Sequence, residues 1–176
     1  MGGYGSGWQG AKKVTVEDCL VLAMTTLVRK QALVPGALTR GRWGWWRQGE
    51  TSPFASLGYE ADLRNHADAW LRLRYRANDE PVDHRLRLTT TQPTYGGRRW
   101  WFICPLGRPD DGPGHRVAKL HLPPGSRYFG SRIGHGLTYT SCQRSGEFRG
   151  LFRHLAAELG LDERSVRTAL TRRKRA

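Results

Sequence analysis

The sequence has few acidic residues and few cysteines, and it has no long apolar run. Aspartate and glutamate number 15 against 29 lysines and arginines, which gives a formal net charge of +14 over 176 residues. The three cysteines are too few and too scattered for a disulfide framework, so we expect a reducing cytoplasm. No stretch of about 20 apolar residues is present, so we expect no membrane span and no membrane partner. This strongly basic balance favours an anionic partner, and nucleic acid is the usual one.

The sequence also lacks the patterns of a catalytic site. Gly96 and Gly97 are not followed by the Lys-Ser/Thr pair of a phosphate-binding loop. The nearest match to a metal-dependent nuclease is Glu60, Asp62 and His66, because alternation places the two acids on one face of a strand. We therefore predict a protein that is not an enzyme and keep a metal-dependent nuclease as a third alternative.

The first element predicted along the chain is a helix. Thr15 is a good N-cap residue, with acids in the turn that follows. Apolar residues then recur at helical spacing as far as Val28, and Pro35 marks the end of the element. We expect this helix to pack on a sheet.

Three strands with alternating apolar and polar residues are predicted next, over residues 56–64, 70–76 and 82–90. The last two should form a hairpin, because residues 78–81 have turn composition. Its outer face would carry five arginines: Arg72, Arg74, Arg76, Arg85 and Arg87. Like charges across a strand pair are destabilising. Either Glu60 and Asp62 on a neighbouring strand compensate part of this row, or nucleic-acid phosphates do.

Residues 42–47 interleave arginine with tryptophan, a pattern that suits base stacking combined with phosphate pairing. Trp43 and Trp46 fall on opposite faces of a strand. They are candidates for nucleic-acid contact, and the alternative is that the tryptophans cover the core of a small sheet.

Residues 98–141 predict two tight hairpins on short strands, which is the layout of a zinc ribbon. The segment resembles an uncharacterised family of bacterial proteins, often encoded on mobile elements. The resemblance rests on five short matches, which are residues 98–102 (RRWWF), 104–105 (CP), 116–120 (RVAKL), 128–129 (YF) and 137–139 (LTY). It implies a mobile-element or defence context and no particular biochemical activity.

This chain departs from the family pattern at the metal ligands. Gly107, Ser131 and Gly134 stand where the pattern has cysteine, and only Cys104 is kept. The local candidates for a rebuilt zinc site are Cys104, His115, His121, His135 and Cys142. Zinc normally needs four nitrogen or sulfur ligands, and no pair of these has a recognised spacing. The alternative is a degenerate ribbon that aromatic residues hold together without metal.

The C-terminal residues resemble a helix-turn-helix. Residues 148–159 predict one helix, Gly160 a turn, and Asp162 the cap of a second helix over residues 162–171. In this interpretation Leu159 faces inward and Leu161 fills the crossing between the helices. The second helix would face the major groove with Arg164, Arg167, Thr168 and Thr171, and the basic tail would meet phosphates with Arg172, Arg173, Lys174 and Arg175. The alternative is a plain helical hairpin with a basic tail.

Together these patterns predict an α+β protein with an N-terminal helix on an antiparallel sheet, degenerate zinc-ribbon-like hairpins and a helix-turn-helix-like C-terminus. The predicted segments are a Gly-rich arm (1–13), the helix and sheet (14–97), the ribbon-like segment (98–145) and the helical hairpin (146–176). We predict non-enzymatic nucleic-acid binding, with DNA favoured. The main alternative is an RNA-binding adaptor in a larger protein or ribonucleoprotein complex.

Overall fold

The computed structural model describes residues 13–107, 114–144, 147–162 and 164–165. The chain divides into two compact units, Met1–Leu137 and Thr138–Ala176. The first unit contains every strand of the described residues, and the second contains α-helices.

The first unit is built on an antiparallel sheet of six strands with a smaller sheet of two. Its helical elements are a 3-10 turn (Val16–Asp18) and α1 (Met24–Arg29). The strands are β1 (Leu20–Ala23), β2 (Leu38–Trp45), β3 (Ala55–Asp62), β4 (Trp70–Ala77), β5 (Glu80–Thr91), β6 (Arg99–Ile103), β7 (Arg116–Val117) and β8 (Lys119–Leu122). The large sheet has the order β2-β3-β4-β5-β6-β7, and β1 pairs with β8.

The predicted hairpin is present as β4 and β5, and the antiparallel sheet is confirmed. Asn78 and Asp79 form a two-residue loop with φ of 52° and 62°. Positive φ at both positions is typical of the type I′ turn, whose twist matches that of the flanking strands. The turn fixes a register in which Leu73 lies opposite His84 and Arg72 opposite Arg85.

The N-terminal helix is much shorter than predicted. The Asp18 carboxylate accepts hydrogen bonds from the Thr15 N–H (3.2 Å) and hydroxyl (2.6 Å), which closes a single 3-10 turn. The chain then becomes extended as β1, and only Met24–Arg29 is α-helical. The helical spacing of the apolar residues was misleading because Leu20–Ala23 finds hydrogen-bond partners on β8, and tertiary pairing overrides local preference.

The core lies on one face of the large sheet. Alternation along the strands buries a set of apolar side chains there: Leu57, Ala61, Leu71, Leu73, Leu86, Leu88, Trp100 and Phe102. Leu22, Leu27, Leu120 and Phe129, from β1, α1, β8 and the segment after β8, belong to the same buried cluster. The opposite face of the sheet is therefore left for the charged residues.

The ribbon-like segment does not form a sheet of its own. Strand β6 pairs with β5 and extends the large sheet, while β8 pairs with β1 in the small one. The residues after β8 add only a single antiparallel bridge, between His121 and Gly130.

The second unit contains α2 (Thr140–Arg144) and α3 (Glu147–Leu159). Gly160 has φ of +59°, and the Leu161 N–H donates to the Ala156 carbonyl at 3.0 Å. These features agree with the predicted helix end. Leu159 and Leu161 are exposed, however, at 61% and 53%. The predicted inward position of Leu159 and the predicted burial of Leu161 are therefore not observed.

Candidate nucleic-acid interface

Seven arginines project from the solvent side of the large sheet, and we name this surface the arginine face. They occupy alternate positions of β2, β4 and β5, whose intervening residues face the core. Its members are Arg40, Arg42, Arg72, Arg74, Arg76, Arg85 and Arg87. The five arginines predicted for the hairpin all belong to it, and β2 adds Arg40 and Arg42.

Two carboxylates compensate one part of the arginine face. Glu60, on β3, pairs with Arg40 at 3.1 Å and with Arg74 at 3.8 Å. Asp83, on β5, pairs with Arg72 at 2.6 Å and with Arg74 at 3.4 Å. The hydrogen bonds from Arg72 hold the pKa of Asp83 below its usual value. The sequence already predicted the role of Glu60. The role of Asp83 was missed, although its outward position in the hairpin was a usable signal.

Asp62, the other acid expected to compensate the row, forms its ion pair with Arg64 and acts on the row through the charge of Arg85. Its carboxylate accepts two hydrogen bonds from the Arg64 side chain, at 3.0 and 2.7 Å, and these lower its pKa to about 2. Among the described residues, Asp62 belongs to no group of three His, Cys, Asp or Glu side chains that could hold a metal ion. Glu60 is likewise held by arginines, and His66 lies on an exposed loop. These contacts give no support to the nuclease alternative.

The rest of the arginine face has no carboxylate partner in the described part of the chain, and this applies to Arg42, Arg76, Arg85 and Arg87. Arg42 donates to the Ser56 hydroxyl at 3.4 Å, and Arg76 to the Asp79 carbonyl at 2.6 Å. Arg85 stacks on Trp70, with its guanidinium carbon 4.5 Å from the ring centroid. These contacts orient Arg42, Arg76 and Arg85 without neutralising them, and Asp62 attracts Arg85 from beyond ion-pair distance.

A cleft of about 650 Å³ opens where β3 and β4 separate. Strand β3 pairs with β2 along its whole length, but it pairs with β4 only over Gly58–Asp62. Beyond Gly58 and Arg74 the two strands part. The walls of this cleft are residues 54–58 on one side and residues 74–76 on the other.

Aromatic rings form much of the floor and walls of the cleft. Phe129 is fully buried, lies 6.3 Å from Trp45 in a stacked arrangement and meets Tyr75 edge-on at 5.4 Å. The Trp45 indole N–H donates to the Val21 carbonyl at 3.0 Å, and the Tyr75 hydroxyl donates to the Arg127 carbonyl at 2.8 Å. Phe54 stands at the mouth and is 47% exposed. The rings are thus held in place, while the outer one remains accessible.

The two predicted tryptophans have different environments. Trp43 is half-buried and packs against the core, as the alternative interpretation of this segment had it. Trp46 is 55% exposed. Its ring covers the solvent side of Gly44, where an added Cβ would come within 2.7 Å of it. Only Trp46 is therefore available to a partner on the solvent side. The sequence did not predict that Phe54 and Tyr75 line a cleft. The cleft forms where two strands separate, and the sequence does not indicate that point.

The zinc candidates do not form a metal site. Among the residues that the structure describes, no three His, Cys, Asp or Glu side chains are grouped so that they could hold a metal ion. Cys104 is buried and accepts the Ser131 N–H at 3.2 Å, while His115 meets the Ser131 hydroxyl at 3.1 Å. His135 meets the Tyr128 carbonyl at 3.2 Å. Cys142 lies in the second unit. The described residues therefore do not fit the zinc predicted as an alternative.

The space around these residues is filled by Leu106. A Cβ at Gly130 would lie 2.3 Å from its side chain, and one at Gly134 would lie 2.9 Å from its Cβ. The Ser131 hydroxyl also accepts the Gly134 N–H at 2.9 Å. Hydrogen bonds and one leucine thus hold residues 104–107 against residues 130–135, a pair of segments that we name the knuckle.

Most of the predicted recognition helix lies outside the described residues, including Arg167, Thr168, Thr171, Arg172, Arg173, Lys174 and Arg175. At its beginning, Asp162 accepts the Ser165 N–H at 3.0 Å, which is the contact of an N-cap. Arg164 is exposed and helical.

Comparison with protein-family models, curated proteins and solved structures gives no match for this chain. No helix in the described ranges is long and apolar enough to cross a membrane.

Proposed function

We propose that the protein binds nucleic acid, with DNA favoured, through the arginine face and without catalysing a reaction. The observation that carries the proposal is the uncompensated part of this face. Four of its seven arginines have no carboxylate partner within the described residues, and they lie on the solvent side of a rigid sheet. When arginines on this surface bind phosphates, the nucleic acid releases the counterions condensed on it. This release is the main source of affinity for nucleic acid. Arginine also suits phosphate because its planar group donates two parallel hydrogen bonds.

The C-terminal residues add a second contact in this proposal. The capped turn at Asp162 and the positive φ of Gly160 are compatible with a helix that enters the major groove, as in a helix-turn-helix. The family resemblance suggests a mobile-element or defence setting. A metal-free form of the zinc-ribbon-like hairpins would serve this protein as a structural support, since the knuckle is closed by hydrogen bonds.

The test is fluorescence anisotropy with duplex DNA, single-stranded DNA and structured RNA over a salt series. We expect a steep log–log dependence of affinity on salt, at about −0.9 per phosphate contact on duplex DNA. Changing Arg85 and Arg87 together to Gln should flatten this dependence. Changing the exposed Arg29 and Lys30 together to Gln, at the end of α1 and away from the arginine face, serves as the control for the loss of two charges alone.

The outcomes separate the alternatives. The proposal is supported if the protein binds DNA more tightly than RNA and if only the arginine-face variant has a flatter salt dependence. Preference for RNA, with little dependence on its sequence, favours the ribonucleoprotein adaptor instead. Absence of binding at about 100 mM salt, where several phosphate contacts should still give measurable affinity, contradicts nucleic-acid recognition by this chain.

A further inference from the structure

The cleft between β3 and β4 differs from the rest of the arginine face in being both concave and aromatic. Its volume of about 650 Å³ falls within the range of roughly 300–1,000 Å³ that is typical of small-molecule sites. Its lining is mainly apolar, with Trp45, Phe54, Tyr75 and Phe129 supplying rings. A flat sheet surface is enough to contact phosphates. A concave, aromatic surface is suited in addition to a ligand with an apolar, ring-shaped part.

The charges at the cleft define the other part of the ligand. Arg42, Arg74 and Arg76 line it, together with the Ser56 hydroxyl. Among the described residues, no carboxylate lines the cleft, and of its three arginines only Arg74 has carboxylate partners there, at 3.4 and 3.8 Å. Guanidinium groups beside aromatic rings bind a phosphate and the planar base attached to it.

We propose that this cleft takes an unstacked base of single-stranded nucleic acid, with the neighbouring phosphates on Arg42 and Arg76. The proposal rests on the nucleic-acid binding proposed above and specifies the form of the ligand. A base inside a duplex is paired and stacked, so it cannot enter a cleft without being extruded at a cost of a few kcal/mol. Single strands are therefore the preferred ligand of this unit, because their bases are already free to leave the stack.

Phe54 is the residue on which the proposal can be tested most cleanly. It stands at the mouth of the cleft, is 47% exposed and contacts Arg47, whose guanidinium carbon lies 4.8 Å from its ring centroid. Removal of an exposed ring leaves the core intact, so Phe54→Ala should fold. Tyr95 is fully exposed and is not among the residues that line the cleft. Tyr95→Ala is therefore the matched loss of an aromatic ring elsewhere.

The experiment compares a fluorescent oligodeoxyadenylate with an abasic oligomer of the same length, which keeps the phosphates and lacks the bases. Stacking on an aromatic side chain contributes about 1–3 kcal/mol per base, so the abasic oligomer should bind about 5- to 150-fold more weakly. Phe54→Ala should reduce this difference by weakening only the base-containing oligomer. Tyr95→Ala should leave both affinities unchanged.

Each other outcome has a distinct meaning. Equal binding of both oligomers, or an equal loss for both in Phe54→Ala, overturns the base-binding cleft and leaves phosphate binding by the arginine face standing. Failure of both oligomers to bind also overturns the base-binding cleft, and the duplex and RNA titrations of the salt series then decide the proposed function separately.

A second measurement does not depend on a variant. An oligomer that carries 5-iododeoxyuridine forms a covalent link to a stacked aromatic side chain under ultraviolet light. The proposal expects the linked peptide to contain Phe54 or Tyr75. Linkage confined to Trp46 or Trp70, which do not line the cleft, would overturn it.

Discussion

The two ends of the β3–β4 pair lie on the same strands but differ in hydrogen bonding and in charge. At the end where the strands are paired, Glu60 and Asp83 compensate Arg40, Arg72 and Arg74. At the end where they separate, Arg42 and Arg76 meet only a hydroxyl and a carbonyl. The number of arginines is therefore a poor guide to binding. What distinguishes the open end is that its positive charge has no partner within the sheet and lies beside exposed aromatic surface.

The largest expected effect comes from removing the charges at the open end. Arg42→Ala combined with Arg76→Ala should weaken binding to single-stranded DNA about 25-fold at 0.1 M salt, because two lost contacts at about 0.7 each lower the salt slope by about 1.4. Arg40→Ala combined with Arg72→Ala removes the same charge from the paired end and should weaken binding much less. Anisotropy titrations at several salt concentrations measure both. Equal losses in the two double variants would mean that only net charge matters.

The next effect concerns the knuckle. Ser131 is buried, and its hydroxyl joins the Gly134 N–H and His115 within the knuckle. Ser131→Ala leaves both groups unpaired, so the free energy of unfolding should fall by about 1–3 kcal/mol. Urea denaturation checks this value. Because hydrogen bonds rather than a metal close the knuckle, EDTA should leave Tm unchanged, and a fall in Tm with chelator would contradict this account.

A smaller effect, of opposite sign, is expected from the paired end. Asp83→Asn releases Arg72 and Arg74 from their shared carboxylate, so affinity for nucleic acid should rise a few-fold and the salt slope should become steeper. Stability should change little because these side chains are exposed and such ion pairs contribute little. Asp68→Asn, on the exposed loop between β3 and β4, controls for the loss of one acid. Unchanged affinity in Asp83→Asn would show that the paired arginines are too far from the ligand to act.

The smallest expected effect is a dependence of stability on pH. Burial lowers the pKa of His84, His121 and His135, so in the folded protein these rings resist protonation. The unfolded chain takes up protons first as the pH falls through about 6.5. Stability should therefore be complete above that pH and decline below it, by a few degrees in Tm.

The variant that tests this dependence is His84→Gln, because His84 is half-buried and meets Tyr128 edge-on at 5.2 Å. Thermal unfolding at pH 7.5 and 5.5 should differ less in this variant than in the unchanged protein. The same difference in both proteins would assign the dependence to other groups.

The hairpin and its arginines could be predicted because alternation and a turn signal act over a few neighbouring residues. Leu71, Leu73 and Leu86 alternate with arginines, and this pattern determines the faces whatever the rest of the chain does. The N-terminal helix could not be excluded in the same way. Residues 20–23 become a strand only because β8 offers a partner, and that partner is remote in sequence.

The candidate site was predicted in part for the same reason. The arginine face follows from local alternation, and the role of Glu60 follows from its being on a neighbouring strand. The cleft depends on where the hydrogen bonding between β3 and β4 ends, at Gly58 and Arg74. Beyond that point β3 stays paired with β2, and β4 stays paired with β5. No local pattern around Phe54 or Tyr75 encodes that point.

The pairing of β1 with β8 has a consequence for the order in which the protein folds. It joins Leu20 to Leu122, residues that both line the cleft. Closing a loop of about a hundred residues is entropically costly, so such contacts form late, whereas the β4–β5 hairpin needs only a two-residue loop. During synthesis the arginine row can therefore take shape well before the floor of the cleft. If the two proposals hold, a nascent chain would bind polyanions before it could bind a base, because the cleft cannot form until residue 122 has been made.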